Sequence, residues 1–275
     1  MNQRADNNCQ LSTDNRQPPL QSKGIGRQPP LQSNSFYRCC RFLAQLLFKI
    51  FCRVELVILE SPPAEGPCIM ASSHISHFEP ALLGAFFPRL LDWVAMEELF
   101  RSRFGAWFFE HLHAISADRF GKNVAINRRS LRTVLQRLSL GRAVGIFPEG
   151  GIRSGSSSIL EEAPMKPGLV SLSLLSQAPI IPCVVLGTDR LYRLKNWLRR
   201  PTLWIIIGKA IVPPKPHKSD AKKARSEFEK NLSTAFPALQ QELCNRFQLT
   251  PEDLPKTAKE RNAISCSKAS RVVLE

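Results

Sequence analysis

Residues 67–80 read Pro67-Cys-Ile-Met-Ala71-Ser-Ser-His74-Ile-Ser-His77-Phe-Glu79-Pro80. The run 67–71 is apolar without alternation, which predicts a strand buried on both faces of a sheet. It leads directly into a polar segment that holds a His and a carboxylate five residues apart. Loops at strand ends are where α/β sheets keep their working groups. Similar apolar runs recur at 54–59, 143–147, 179–186 and 203–207, with helical patterns between them at 80–87, 97–112, 123–138 and 168–176. This alternation predicts the α/β class, with a mixed, largely parallel sheet and helices on both faces.

Upstream of the sheet, residues 36–54 carry Arg38, Arg41, Gln45, Lys49 and Arg53 at spacings of three, four, four and four, one stripe of a helix. Phe36, Cys40, Leu43, Leu47, Ile50 and Phe51 fall on the other side, and the segment has no acidic residue. The pattern predicts an amphipathic helix lying at the surface of an anionic membrane; a core-packing helix with a solvated basic face is the other reading. Residues 1–35 are rich in Gln, Asn, Ser and Pro and repeat Arg-Gln-Pro-Pro-Leu-Gln-Ser at 16–22 and 27–33. They hold too little apolar surface to offset their ordering entropy, which predicts a disordered tail.

After Pro213-Pro214 the composition turns charged and predicts helices at 218–236 and 237–247, followed by a frayed end. The expected organisation is a tail (1–35), the interfacial helix (36–54), one catalytic domain (55–215) and a helical extension (216–275). A second stretch, 189–200, sets Leu191, Leu194, Trp197 and Leu198 among Arg190, Arg193, Lys195, Arg199 and Arg200, and suits either the same interface or a solvated surface helix.

The 275 residues carry 38 Lys and Arg against 23 Asp and Glu, a formal charge of +15, so an anionic partner or substrate is expected. Two tyrosines and the lack of a recognisable binding motif argue against nucleic acid. The eight cysteines are scattered with no C-x-x-C pair, which argues against a structural zinc site and for a reducing setting. No secretory pattern marks the polar N-terminus, and no apolar run of about 18 residues could span a bilayer, so any membrane contact is expected to be interfacial.

The segment after the strand at 67–71 can do chemistry without a nucleophile on the protein. A neutral imidazole at His74 can take the proton of an alcohol as it attacks a thioester, provided that Glu79 fixes its tautomer and stabilises the imidazolium. The run 143–147 is followed by Pro148-Glu149-Gly150-Gly151-Ile152-Arg153-Ser154, where adjacent glycines allow close backbone approach and Arg153 offers a donor for a phosphate. Arg119 and Lys122 follow a short apolar run at 115–117, and Lys166 and Gly168 precede a helix that leads to Pro179-Ile-Ile-Pro182. Taken singly, each of these is ordinary turn chemistry or a solvated charge.

In this order the four blocks resemble the glycerolipid acyltransferase family, whose best-known members acylate lysophosphatidic acid. Its first motif, a His, four residues and an Asp, is matched by His74 to Glu79; its second block ends at Arg119; its third, Phe-Pro-Glu-Gly-Thr-Arg-Ser, by Phe147, Pro148, Glu149, Gly150, Arg153 and Ser154; its fourth by Lys166, Gly168 and 179–182. The resemblance covers roughly residues 55–210. It implies an acyl-CoA or acyl-carrier-protein donor, no metal or prosthetic group, and a reaction at the cytoplasmic face of a membrane. It also implies that His74 activates the acceptor hydroxyl, that Arg153 and Arg119 bind an acceptor phosphate, and that Glu149 shapes that pocket. The implied acceptor is a lysophospholipid, 1-acyl-glycerol 3-phosphate. Two positions depart from the pattern: Glu79 stands where Asp is usual, and Gly151-Ile152 replaces one Thr, lengthening the path to Arg153 by one residue. A carboxylate on a longer arm is displaced by about 1 to 1.5 Å unless the loop compensates. A displaced Arg153 would suit a neutral lipid alcohol instead, such as diacylglycerol or a quinol.

Overall fold

The computed structural model describes residues 34–118, 123–215 and 221–255. The predicted tail therefore lies outside the described residues except at its last two positions, as does the predicted frayed end. Seven strands, β1 (Arg53–Ile58), β2 (Cys68–Ser72), β3 (Leu91–Met96), β4 (Ile115–Ala117), β5 (Ala143–Ile146), β6 (Ile180–Leu186) and β7 (Thr202–Ile207), form one sheet in the order β1-β7-β6-β2-β5-β3-β4. All neighbouring pairs are parallel except β6 with β7. The expected α/β class with a mixed, largely parallel sheet is thus what the chain adopts.

Side-chain alternation along the central strands divides the interior into two layers. Ile69, Ala71, Val144, Ile180, Val184 and Ile206 pack with α4 (Val124–Ser139), α5 (Gly168–Ser176) and α7 (Ala221–Phe247), through residues such as Val134, Leu138, Leu169, Phe236 and Leu243. Cys68, Met70, Ala143, Ile181, Val185 and Ile205 face the other way, onto α1 (Asn34–Phe51) and α2 (Glu79–Phe86), through Phe48, Cys52, Leu82 and Leu83. Because both faces are covered, the central strands need apolar side chains at every position, and this is why they read as unbroken apolar runs.

Four local expectations are corrected. The run at 54–59 is an edge strand, not one buried on both faces: Glu55, Leu56 and Ile58 of β1 are exposed. The stretch 97–112 is broken into a 3₁₀ turn, Glu97–Phe100, and α3 (Arg103–His111), because Ser102 leaves the helical path and its side chain accepts the Gly105 N–H at 2.9 Å as an N-cap. The two helices expected at 218–236 and 237–247 are one, α7, with Pro237 inside it. Phe228, Leu232, Phe236, Leu239 and Leu243 keep one buried stripe across the proline, and that packing outweighs the lost backbone hydrogen bond. Residues 189–200 form a 3₁₀ turn, Thr188–Tyr192, and one short turn, α6 (Leu194–Trp197), in place of a single helix.

The orientation of α1 also differs from the stripe read in the sequence. Tyr37, Phe48 and Cys52 are buried, and Arg41 and Gln45 turn inward with them. Arg41 donates to the carbonyls of Ala85 (3.1 Å) and Phe87 (2.7 Å), and Gln45 to that of Ala85 (2.7 Å). These carbonyls close α2, where no intrahelical donor remains, so α1 caps α2. The face left outside carries Phe42, Leu43, Leu46, Leu47 and Ile50, all about half exposed. Among the described residues no helix is long and apolar enough to cross a membrane.

Candidate active site

Three parallel strands, β6, β2 and β5, lie side by side in the sheet, so the loops at their carboxyl ends emerge together. His74 follows β2 by two residues, Glu149 follows β5 by three, and Thr188 follows β6 by two. This is the edge of an open α/β sheet at which ligands bind.

His74 Nδ1 lies 2.8 Å from Glu79 Oε2. The carboxylate is fully buried, and Glu79 is the first residue of α2. Its Oε2 also accepts the Ser76 N–H (2.8 Å), while Oε1 accepts the Ser76 hydroxyl (2.8 Å) and the Thr188 hydroxyl. The extra methylene of Glu is absorbed without loss of contact with the imidazole. With Nδ1 held by the carboxylate, the imidazole carries its proton there and leaves the Nε2 lone pair for a substrate proton. The His74 side chain is 15% exposed, so the ring edge can be reached from solvent while its partner cannot.

The ring plane is fixed by stacking. The His74 and Phe147 rings are 4.1 Å apart at 19°, and Phe147 stacks in turn on Trp93 at 5.3 Å and 10°. Trp93 lies across β5 at Gly145, where a Cβ would fall 2.7 Å from the indole. Glu149 is also buried and holds the backbone: Oε2 accepts the His74 N–H (2.7 Å), and Oε1 accepts the Ser158 hydroxyl (2.8 Å) and the Ile159 N–H (2.9 Å). Burial pushes its carboxyl above the usual range, against the lowering effect of these donors.

The third and fourth blocks converge on the same place. The Arg153 N–H donates to the His74 carbonyl at 2.7 Å, so the longer Gly151-Ile152 loop still returns Arg153 to His74, with its side chain exposed. The Lys166 N–H donates to the Pro148 carbonyl (3.0 Å), and its side chain crosses Gly150, where a Cβ would fall 2.5 Å from Lys166 Cε. Arg119 lies outside the described residues. No local pattern marks Thr188, Ser76 as a two-point clamp, or the aromatic stack; the position of Thr188 just past a buried strand is the one available cue. Among the described residues no group of three or more His, Cys, Asp or Glu is placed to hold a metal.

A buried ionic cluster sits at the opposite, amino-terminal end of the strands. Asp92 of β3 pairs with Arg142, just before β5, with Arg137 3.8 Å and His113 3.6 Å away. Burial opposes its ionisation, but the Arg142 and His113 hydrogen bonds outweigh this and hold the carboxyl below the usual range.

A buried carboxylate orienting a partly exposed His at the carboxyl edge of such a sheet can serve proton removal from an attacking hydroxyl, and the chain is similar to the glycerolipid acyltransferases. The family model described as Acyltransferase matches residues 53–186. The 1-acyl-sn-glycerol-3-phosphate acyltransferase of Bacillus subtilis is 25% identical over 176 residues, 64% of this chain and 82% of that protein. The protein of the same name from Pseudomonas aeruginosa is 28% identical over 174 residues, 62% of this chain and 65% of its own length. The crystal structure of PlsC, the 1-acyl-sn-glycerophosphate acyltransferase of Thermotoga maritima, shares the fold with a TM-score of 0.55 at 20% identity, over 74% of this chain and 79% of that one. The chain is an O-acyltransferase enzyme.

Proposed function

We propose that this enzyme transfers a fatty-acyl group from acyl-CoA or acyl-carrier protein to the free hydroxyl of 1-acyl-glycerol 3-phosphate, forming phosphatidic acid, with His74 as the general base. His74 Nε2 takes the hydroxyl proton as the oxygen attacks the thioester carbonyl. Glu79 stabilises the imidazolium, the tetrahedral intermediate collapses with cleavage of the C–S bond, and the proton passes to the departing thiolate. The products are the new ester and the free thiol, with no covalent acyl-enzyme. The observation that carries this reading is the 2.8 Å contact between His74 Nδ1 and the buried Glu79 carboxylate.

The choice of a phosphorylated acceptor is supported by Arg153, whose backbone is bound to His74 itself, and by Lys166 across Gly150. Both side chains are exposed. Arg119 joins them by its place in the family pattern, and Glu149 shapes the loop that carries Arg153. The two curated relatives bear the name of this activity.

An acceptor of this kind resides in a bilayer, so the enzyme works at a membrane surface. The outward face of α1 and the exposed Leu194 and Leu198, set among Arg193, Lys195, Arg199 and Arg200, provide an apolar surface with cationic flanks suited to anionic lipid. Either thioester donor is made in the cytoplasm, which puts the reaction at the cytoplasmic face.

The test is transfer from labelled oleoyl-CoA to lysophosphatidic acid, glycerol 3-phosphate, diacylglycerol or a quinol in mixed micelles, with Arg153→Ala alongside. The expected acceptor is lysophosphatidic acid, with KM raised about 10- to 100-fold in Arg153→Ala, as for loss of a charge-assisted hydrogen bond. Transfer to a neutral acceptor alone would contradict the phosphate role.

A further inference from the structure

Glu79 is held from two separate parts of the chain. Ser76, three residues upstream, donates its backbone N–H to Oε2 and its hydroxyl to Oε1. Thr188, 109 residues downstream, donates its hydroxyl to Oε1 and is itself fully buried. The chain reaches this point because Gly187, at φ +85°, ends β6 in a left-handed turn. Without Thr188, the carboxylate would be fixed only by its own loop, on a side chain with one more rotatable bond than an Asp has.

We propose that Thr188 is a positioning residue for catalysis, acting through Glu79 on His74: its hydroxyl locks the longer carboxylate in the place from which it meets the imidazole. This inference rests on the reading of His74 and Glu79 as the catalytic pair. Thr188 and His74 follow β6 and β2 by two residues each, and those strands are adjacent and parallel, so the lock comes from a separate strand exit and not from the loop it constrains. Thr188 is fully buried and bonded to Glu79, so its effect falls on the orientation of the base and therefore on kcat.

The experiment compares wild type, Thr188→Val, Thr188→Ser and His74→Ala with oleoyl-CoA and the same four acceptors, with folding followed by thermal melting. Thr188→Val, nearly isosteric but without the hydroxyl, is expected to lower kcat on the order of 10- to 100-fold with KM unchanged, the penalty of a misplaced base. Thr188→Ser is expected to recover most of that loss. A second measurement uses no substrate: the downfield proton resonance of His74 Nδ1–H, assigned by its absence in His74→Ala, is sharp in wild type and broadened or shifted in Thr188→Val. In a Glu79→Asp background, where the shorter arm gives up the Thr188 contact, Thr188→Val is expected to cost little more. An inactive His74→Ala beside a fully active Thr188→Val with an unchanged resonance overturns the role of Thr188 alone. An active His74→Ala overturns the dyad and this inference together.

Discussion

Glu149 Oε2 accepts the backbone N–H of His74 at 2.7 Å, so the carboxylate of the third block holds the main chain of the first. Its other oxygen is already engaged by Ser158 and Ile159. Glu149→Gln would turn an amide N–H toward one of these donors. We predict a loss of activity of at least tenfold with the chain still folded, measured as kcat/KM beside a melting curve. The pH dependence has a definite sign. Burial raises the folded-state value above the ordinary 4.5, so the associated stability is present below that value and is lost as pH climbs through the raised one. Urea melts across the mildly acidic range should show this decline in wild type and not in Glu149→Gln.

The stack His74–Phe147–Trp93 depends on the bare backbone of Gly145. Gly145→Ala forces the indole to move, and the displacement reaches the imidazole through Phe147. A destabilisation of about 1 to 3 kcal/mol by chemical denaturation is expected from overpacking, together with a fall in kcat larger than any change in KM. Unchanged kinetics at that stability cost would separate the stack from catalysis.

Asp92 lies at the end of the sheet away from His74, so its removal should affect stability alone. Asp92→Asn leaves Arg142 and Arg137 largely buried without their counter-charge, a cost of about 3 kcal/mol, near the low end for broken buried pairs because both arginines keep some exposure. The depressed folded-state value means that this contribution is present above the ordinary 3.8 and is lost as pH falls through the lower one. Denaturant melts of both forms should therefore converge in strong acid.

Leu43 and Leu47 are 49% and 52% exposed on α1. Changing both to Glu should leave the melting temperature nearly unmoved and weaken binding to anionic vesicles by tenfold or more, since each Leu that enters lipid contributes on the order of 1 kcal/mol or more. Unaltered co-sedimentation would remove α1 from the membrane contact.

The legibility of this chain follows burial. The carboxyl end of β2 and the His74–Glu79 spacing could be read because a strand covered on both faces must be apolar throughout, and its polar exit then stands out. The helix expected at 168–176 is α5, Gly168–Ser176. β3 was not legible because Leu91-Asp-Trp-Val-Ala-Met carries a charge in the strand, and the partner that neutralises Asp92, Arg142, is 50 residues away. The same distance problem hid Thr188, whose contact with Glu79 spans 109 residues. On α1 the spacing of the basic residues was read correctly, but the sequence could not show that Arg41 and Gln45 would be drawn in to close the end of α2. Family order of the blocks singled out Arg153 despite the lengthened loop, and its N–H donates to the His74 carbonyl.

The most direct test of the proposed mechanism is the rate of acyl transfer from oleoyl-CoA to lysophosphatidic acid by His74→Ala, with the protein shown by its melting curve to be folded. Loss of transfer by about 100-fold or more, the contribution of a general base, is the predicted result. Transfer at the wild-type rate would contradict the assignment of His74 as the base and with it the role given to Glu79.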